Sequence, residues 1–287
     1  MLAKECLSIF VVNYYHILQL HFYLQTMTFT GWIRLLIRLP LICLITLVHI
    51  LLIVLCYPIK WLSTHYALVV GFITNSWGRC MMLLTGGKLD LQGSVPKPSF
   101  YLVSNHLSYA DIWVLLASLR ATFVAKHDLK SWPIMGQAMK LIGIIFVNRT
   151  KKMDISRVNK LISRELHSPR GLIVFPEGTT TLGDELKPYH SPLLEIPASQ
   201  QFPVHSVLLH YEDKMGGGKS LFGSSYVPWW DDTSFVAHFI SLLTKKGYIA
   251  RLSFSDQIWK DESRKKLTES IYEWSEIEYE NLKKHAQ

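Results

Sequence analysis

The segment Val103-Ser104-Asn105-His106-Leu107-Ser108-Tyr109-Ala110-Asp111 sets a histidine five residues ahead of an aspartate, where an apolar run gives way to a helical pattern. A neutral imidazole titrates near physiological pH and can take a proton from an attacking hydroxyl, a contribution of roughly 10²- to 10⁴-fold. A neighbouring carboxylate fixes the ring tautomer and stabilises the imidazolium that forms. The chain has no G-x-S-x-G turn, and its four cysteines (Cys6, Cys43, Cys56, Cys80) all fall in the amino-terminal third. The pattern therefore predicts a nucleophile brought by the substrate, as a hydroxyl. Taken alone, the segment also suits a histidine at a helix start followed by a routine first-turn aspartate.

The elements that must hold this pair can be read around it. Ser99–Ser104 is predicted as a strand, and Ile112, Leu115, Leu116 and Leu119 recur at helical spacing from Asp111 onward. His106 then lies in a loop at the carboxyl end of a strand, where open α/β sheets collect their ligands. Further strands are predicted at 121–125, 144–147, 172–175, 204–210 and 248–254, with helices at 135–141, from Asp154, at 192–199, at 233–243 and from Asp261. The alternation predicts an α/β fold, a mixed, mostly parallel sheet flanked by helices. Lys126, Arg149, Glu177 and Gly178 each follow a predicted strand, so parallel strands would bring them to the edge that carries His106. Lys126 and Arg149 suit a phosphate, and Gly178 allows backbone amides to approach an anion. Each also has a plainer reading, the cations as solvated surface charges and Glu177 as a helix-start residue.

The amino-terminal part reads differently. Leu41–Tyr57 is an uncharged run of 17 residues between Pro40 and Pro58, and Tyr66–Leu84 is a second apolar stretch interrupted by Asn75, Ser76, Arg79 and Cys80. The first reaches roughly 25 Å, short of the ~30 Å hydrocarbon core, which favours a two-helix anchor in one leaflet over a full span. The division expected is a membrane-associated helical region over 1–88 and an α/β domain over 89–287. Residues 1–26 read either as an extension ahead of Met27 or as another membrane-lying helix. No cleavage site follows the apolar run, so a removed signal peptide is not expected.

Four blocks then stand in order: Asn105-His106-x4-Asp111, Gly143-Ile144-Ile145-Phe146-Val147-Asn148-Arg149, Phe175-Pro176-Glu177-Gly178-Thr179 and Phe202-Pro203-Val204. Together they resemble the glycerolipid acyltransferases, the 1-acylglycerol-3-phosphate acyltransferase group. The resemblance implies His106 as general base and Asp111 as its partner. It implies an acceptor site at Arg149, Glu177 and Gly178, to which Lys126 and Thr179 are added as neighbours. It further implies a lyso-lipid acceptor, 1-acyl-sn-glycerol-3-phosphate giving phosphatidic acid, with acyl-CoA or acyl carrier protein as donor and no cofactor. One departure bears on the acceptor. The third block commonly reads Glu-Gly-Thr-Arg in members that form phosphatidic acid, whereas Thr180 stands here, closer to relatives that acylate lyso-ornithine lipid. A non-catalytic lipid-binding protein on the same fold is the remaining alternative.

Charge and composition fit that setting. The formal charge of +8 comes without a nucleic-acid motif, and an anionic leaflet attracts the same charge. Nucleic acid is therefore not expected as a partner, whereas membrane lipids are. No metal site is expected, since His205 and His210 fall on opposite faces of a strand and no H-E-x-x-H is present. The absence of cysteine after Cys80 suits a reducing compartment. The expected location is a bacterial inner membrane, with the catalytic domain at its cytoplasmic face.

Overall fold

Short runs rich in β-branched and aromatic residues form the centre of the molecule, and most are buried on both faces, as parallel strands covered by helices must be. The computed structural model describes residues 21, 24–133, 135–148, 152–214 and 222–286. Seven strands, β1 (Lys88–Gln92), β2 (Tyr101–Ser104), β3 (Ala121–Lys126), β4 (Ile145–Val147), β5 (Gly171–Val174), β6 (Val204–Asp213) and β7 (Tyr248–Phe254), lie in the order β1-β7-β6-β2-β5-β3-β4. All neighbours are parallel except β6 and β7. The sheet is thus mixed and mostly parallel, as the alternation predicted. β1, a five-residue edge strand of half-exposed residues, is an addition to the predicted set.

Alternate residues of the central strands feed two cores. Leu102, Phe123 and Ile173 face α2 (Ser63–Thr85), α3 (Ala110–Ser118) and α7 (Phe235–Thr244). Tyr101, Val103, Leu172 and Val174 face α5 (Lys152–Leu166), α6 (Glu195–Ser199) and α8 (Arg264–Ala286). Between β3 and β4 lies α4 (Met135–Leu141). Asp154, expected to cap α5, sits in its first turn, where it accepts the Asn148 backbone N–H at 2.7 Å and pairs with Arg157.

The amino-terminal helices depart from the expected boundaries. α1 runs from Phe29 to Leu55, straight through Pro40, so the 17-residue run is only part of a 27-residue helix. Contacts on both sides of the proline hold it. Arg34 and Arg38 donate to the carbonyls of Thr244, Leu243 and Lys245 at the end of α7, and Ile42 is buried one turn later. The second apolar stretch is also a wall of the domain. The Asn75 amide donates to the Leu116 carbonyl at 2.6 Å, and Arg79 donates to that of Ala117, so two of the polar interruptions cap the end of α3.

Gly78 lets these backbones meet, since a Cβ there would lie 2.7 Å from Ala117 N and 2.8 Å from Trp113 O. Gly78→Leu is accordingly expected to destabilise the protein by about 1–3 kcal/mol or more, because main chain rather than a flexible side chain must yield. A lowered urea midpoint checks this.

Candidate active site

Because β2, β3, β4 and β5 are parallel, their carboxyl ends share one edge of the sheet, and the catalytic-type residues fall there. β2 ends at Ser104, His106 follows in the loop, and Asp111 lies in the first turn of α3. The two side chains meet: His106 Nδ1 is 2.7 Å from Asp111 Oδ2. The same oxygen accepts the backbone N–H groups of Leu107 at 2.8 Å and Ser108 at 3.0 Å. Asp111 is 0% exposed, whereas the His106 side chain is 21% exposed. With Nδ1–H given to the carboxylate, Nε2 keeps its lone pair for a proton from solvent or substrate.

The ring is also held by its face and by its main chain. Phe175 stacks on the imidazole at 4.1 Å between centroids, backed by Phe123 at 6.0 Å. The His106 carbonyl accepts from Thr181 N–H and the Leu107 carbonyl from Trp229 N–H, so two loops, one after β5 and one before α7, grip the segment from either side. The first loop is closed by His190 N–H on the Pro176 carbonyl. It is backed by α8, where the Tyr189 hydroxyl meets Ser275 and the Tyr272 hydroxyl donates to the Leu186 carbonyl.

Glu177 opens that loop and is buried, only 4% exposed, with neither carboxyl oxygen in a hydrogen bond. Burial, reinforced by the nearby negative charge of Asp111, pushes its carboxyl up to about 9, against smaller opposing pulls from the His106 backbone and Lys187. At neutral pH it is a protonated acid. The Thr181 hydroxyl is a second buried group on this loop without a partner. Orphaned polar atoms of this kind call for an explanation, and a substrate group is one.

The other expected binding residues are less uniform. Gly178 adopts φ +76°, which favours glycine, and its N–H closes a turn onto the Phe175 carbonyl at 3.2 Å instead of being presented to an anion. Thr179 is exposed on the rim. The Lys126 side chain is 71% exposed and pairs with Asp128 at 3.1 Å. The strand runs one residue past its predicted end and takes in the lysine, and the following 3₁₀ turn, His127–Ser131, brings that aspartate back beside it. Arg149 lies outside the described residues, as do the greater part of 1–26 and the glycines 216–218.

Sequence reading missed Tyr211, whose hydroxyl donates to Asp111 Oδ1 at 2.8 Å from β6, a hundred residues away. It also left Asn105 without a task. Asn105 Oδ1 accepts the Leu209 N–H at 2.7 Å and its Nδ2 donates to the Leu209 carbonyl at 2.9 Å, so the side chain stands in for the next residue of β2. No local signal marks Tyr211, since nothing in one strand's pattern tells which residue meets a distant loop.

The first and third blocks therefore meet at one edge, where β4 of the second also ends, while the fourth leads into the start of β6, level with Tyr101 at the other end of β2. Residues 90–210, which contain all four, match the acyltransferase family model. Over that segment the chain resembles the acyltransferases. Among its relatives, the lyso-ornithine lipid O-acyltransferase of Pseudomonas aeruginosa is 32% identical over 139 residues, 48% of this chain and 54% of that protein. The protein of the same name from Rhizobium meliloti is 28% identical over 79% of both chains. The 1-acyl-sn-glycerol-3-phosphate acyltransferase of Neisseria gonorrhoeae is 31% identical over 40% of this chain and 45% of its own. The chain thus spans about half the length of the first and third of these, and more of the second. The crystal structure of the 1-acyl-sn-glycerophosphate acyltransferase from Thermotoga maritima superposes with a TM-score of 0.55, covering 83% of this chain and 95% of that one at 18% identity, a likeness of fold. The acyltransferase segment takes in most of β1, all of β2 to β5 and most of β6, and leaves α1, α2, α7 and α8 outside it.

Proposed function

We propose that the protein is an O-acyltransferase that moves a fatty acyl chain from acyl-CoA or acyl carrier protein to the free hydroxyl of a lyso-lipid. The observation that carries this is the His106 Nδ1 contact with a fully buried Asp111, which leaves Nε2 available beside a partly open edge. In the step proposed, Nε2 takes the acceptor's hydroxyl proton as its oxygen attacks the thioester carbonyl. The tetrahedral adduct then expels the thiolate, which takes the proton back from the imidazolium. The ester forms as the thioester breaks, and His106 ends as it began.

Two acceptors are in view. The lyso-ornithine reading is favoured by Thr180 in the place of an arginine, by the outward turn of Lys126, and by the relatives of that name. A protonated Glu177 suits either. It can ionise against an ammonium group, or donate to a phosphate oxygen of 1-acyl-sn-glycerol-3-phosphate, where an ionised carboxylate would repel. Mass spectrometry of products from purified protein, offered both donors and a panel of lyso-lipids, tests the reading. Acylated lyso-lipid is the expected product. Free fatty acid formed without an acceptor would indicate a hydrolase, and no thioester consumption at all would indicate a lipid-binding protein.

The membrane placement follows from exposed apolar surface and from where the helices are tied. α1 is about 40 Å long and bares Leu36, 68% exposed, Leu55, 74% exposed, and a row of other aliphatic side chains between them. A hairpin crossing the bilayer would carry its turn roughly 30 Å from the domain. Here the α1–α2 turn stays beside it: Ile53, Tyr66 and Val70 pack on Leu141 and Ile142, and the Tyr66 hydroxyl donates to the Leu141 carbonyl at 2.9 Å. Both ends of the pair are thus pinned to the catalytic domain, which supports a helix pair lying in one leaflet.

Cations gather where α1 begins. Arg34 and Arg38 meet the carboxyl end of α7 next to Lys245 and Lys246, and Lys214 donates to the Gly86 carbonyl near Lys88. β6 runs past the end of β2 toward this cluster, so it lies on the His106 side of the sheet and suits an anionic leaflet. The protein is expected to remain with membranes after alkaline carbonate washing, and release into the supernatant would argue against an inserted anchor.

A further inference from the structure

Asp111 is fully buried, and among the described residues its ionic partner is His106, with no lysine or arginine against it. Its charge is therefore balanced by neutral donors. Oδ2 receives three of them, His106 Nδ1 and the backbone amides of Leu107 and Ser108, all from the loop itself. Oδ1 receives one, the hydroxyl of Tyr211 on β6. That bond holds the second oxygen, which no other side chain among the described residues reaches, and so ties the carboxylate to β6 as well as to its own loop.

The route by which Tyr211 arrives is itself built. The β2–β6 ladder ends at the pair Ser104 and Val207, where β2 stops. β6 continues to Asp213, and the two-way bond between the Asn105 side chain and the Leu209 main chain holds it in register for one more step. Two residues on, with the strand's period of two, Tyr211 points to the same side as Leu209 and reaches Asp111. Its ring is 1% exposed and packs edge-on against Tyr248 at 5.6 Å, and the Tyr248 hydroxyl is fixed by Trp113 Nε1 at 2.8 Å and Thr85 at 3.0 Å.

We infer that Tyr211 is a positioning residue that orients Asp111 for His106, and that Asn105 is the lock that sets its register. The inference rests on the dyad reading above. Without the hydroxyl, Oδ1 is a buried acceptor with nothing to accept, and a carboxylate so deprived holds a proton more tightly. The titratable groups that face Asp111 are His106 from its own loop, Glu177 from the loop after β5, Tyr211 from β6 and Tyr248 from β7. None of the other three replaces the lost donor, so the pair as a unit becomes harder to deprotonate and the acid limb of the rate profile moves to higher pH.

The test uses the full chain in lipid vesicles, with kcat, both KM values and the pH profile of kcat/KM for Tyr211→Phe, Asn105→Ala, His106→Ala and Tyr101→Phe. Tyr101 is an equally buried tyrosine whose hydroxyl donates to the Leu193 carbonyl, away from the dyad, so it measures what loss of a buried phenol does by itself. Tyr211→Phe should lower kcat about 10-fold or more with both KM values within about two-fold. It should also raise the acid limb by about half a pH unit or more. Asn105→Ala should show the same sign, and carries the test if the phenylalanine variant does not fold, while Tyr101→Phe should leave kcat and the limb in place. An unchanged kcat and limb in folded Tyr211→Phe, with His106→Ala inactive, would overturn the inference and spare the dyad. So would a loss confined to KM. An active His106→Ala would remove both.

Discussion

Replacing His106 with alanine is expected to lower turnover about 10²- to 10⁴-fold, the range of a lost general base, with the urea midpoint little changed. The ring is partly exposed, and the main-chain bonds that fix its segment, from Thr181 and Trp229, do not involve the side chain. Asp111→Asn should lose activity on a similar scale, since an amide cannot stabilise the imidazolium, and should still fold for a specific reason. The amide oxygen can take the place of Oδ2 toward the three loop donors, and its NH₂ then meets the Tyr211 hydroxyl, which can turn from donor to acceptor. Thioester consumption with unfolding measured in parallel checks both. Near-normal turnover in well-folded His106→Ala would sink the mechanism.

What could be read from the sequence is what is local. His106, Asp111 and the strand and helix that hold them lie within about a dozen residues, and the parallel sheet followed from alternation alone. His106, Lys126, Glu177 and Gly178 do share one edge, but an edge is not a direction. Lys126 shares the edge and points to solvent because Asp128, two residues on, meets it there. Gly178 shares it too, and its amide serves a turn.

The misread boundaries have a common cause in tertiary contacts. Pro40 removes one helical hydrogen bond from α1, yet the guanidinium groups of Arg34 and Arg38 on the carbonyls of α7 and the burial of Leu35 and Ile42 hold the helix on either side. Asn75 and Arg79 looked like polar breaks in a membrane-surface helix, and they turn out to satisfy the last carbonyls of α3, a demand that arises only once the two helices are packed. Tyr211 was invisible for the same reason. Its role depends on how far β6 overshoots β2, and no pattern within either strand records that length.

Glu177→Gln is expected to make the protein more stable at alkaline pH and a poorer enzyme. The carboxyl is held at about 9 in the folded protein against about 4.5 in the unfolded chain. Between those values the native state holds a proton that the unfolded state has lost, so the stabilisation from this group is complete below the lower value and is lost as pH rises through the higher one. The slope, about 1.4 kcal/mol for each pH unit in that window, should be reduced or absent in the glutamine variant, which does not titrate. Burying an amide beside the same unpartnered surroundings has its own cost, so the sharp observable is the pH dependence of the urea midpoint between pH 5 and pH 9 rather than its value at one pH. Activity should move the other way. An orphaned acid next to His106 gains its partner only when the acceptor arrives, and removing a hydrogen bond of that kind weakens acceptor use by about 10- to 100-fold in kcat/KM, with the donor's KM little changed. If the midpoint keeps its wild-type slope, or if acceptor use is unaffected while stability shifts, Glu177 serves the fold of its loop and the acceptor is bound by other groups.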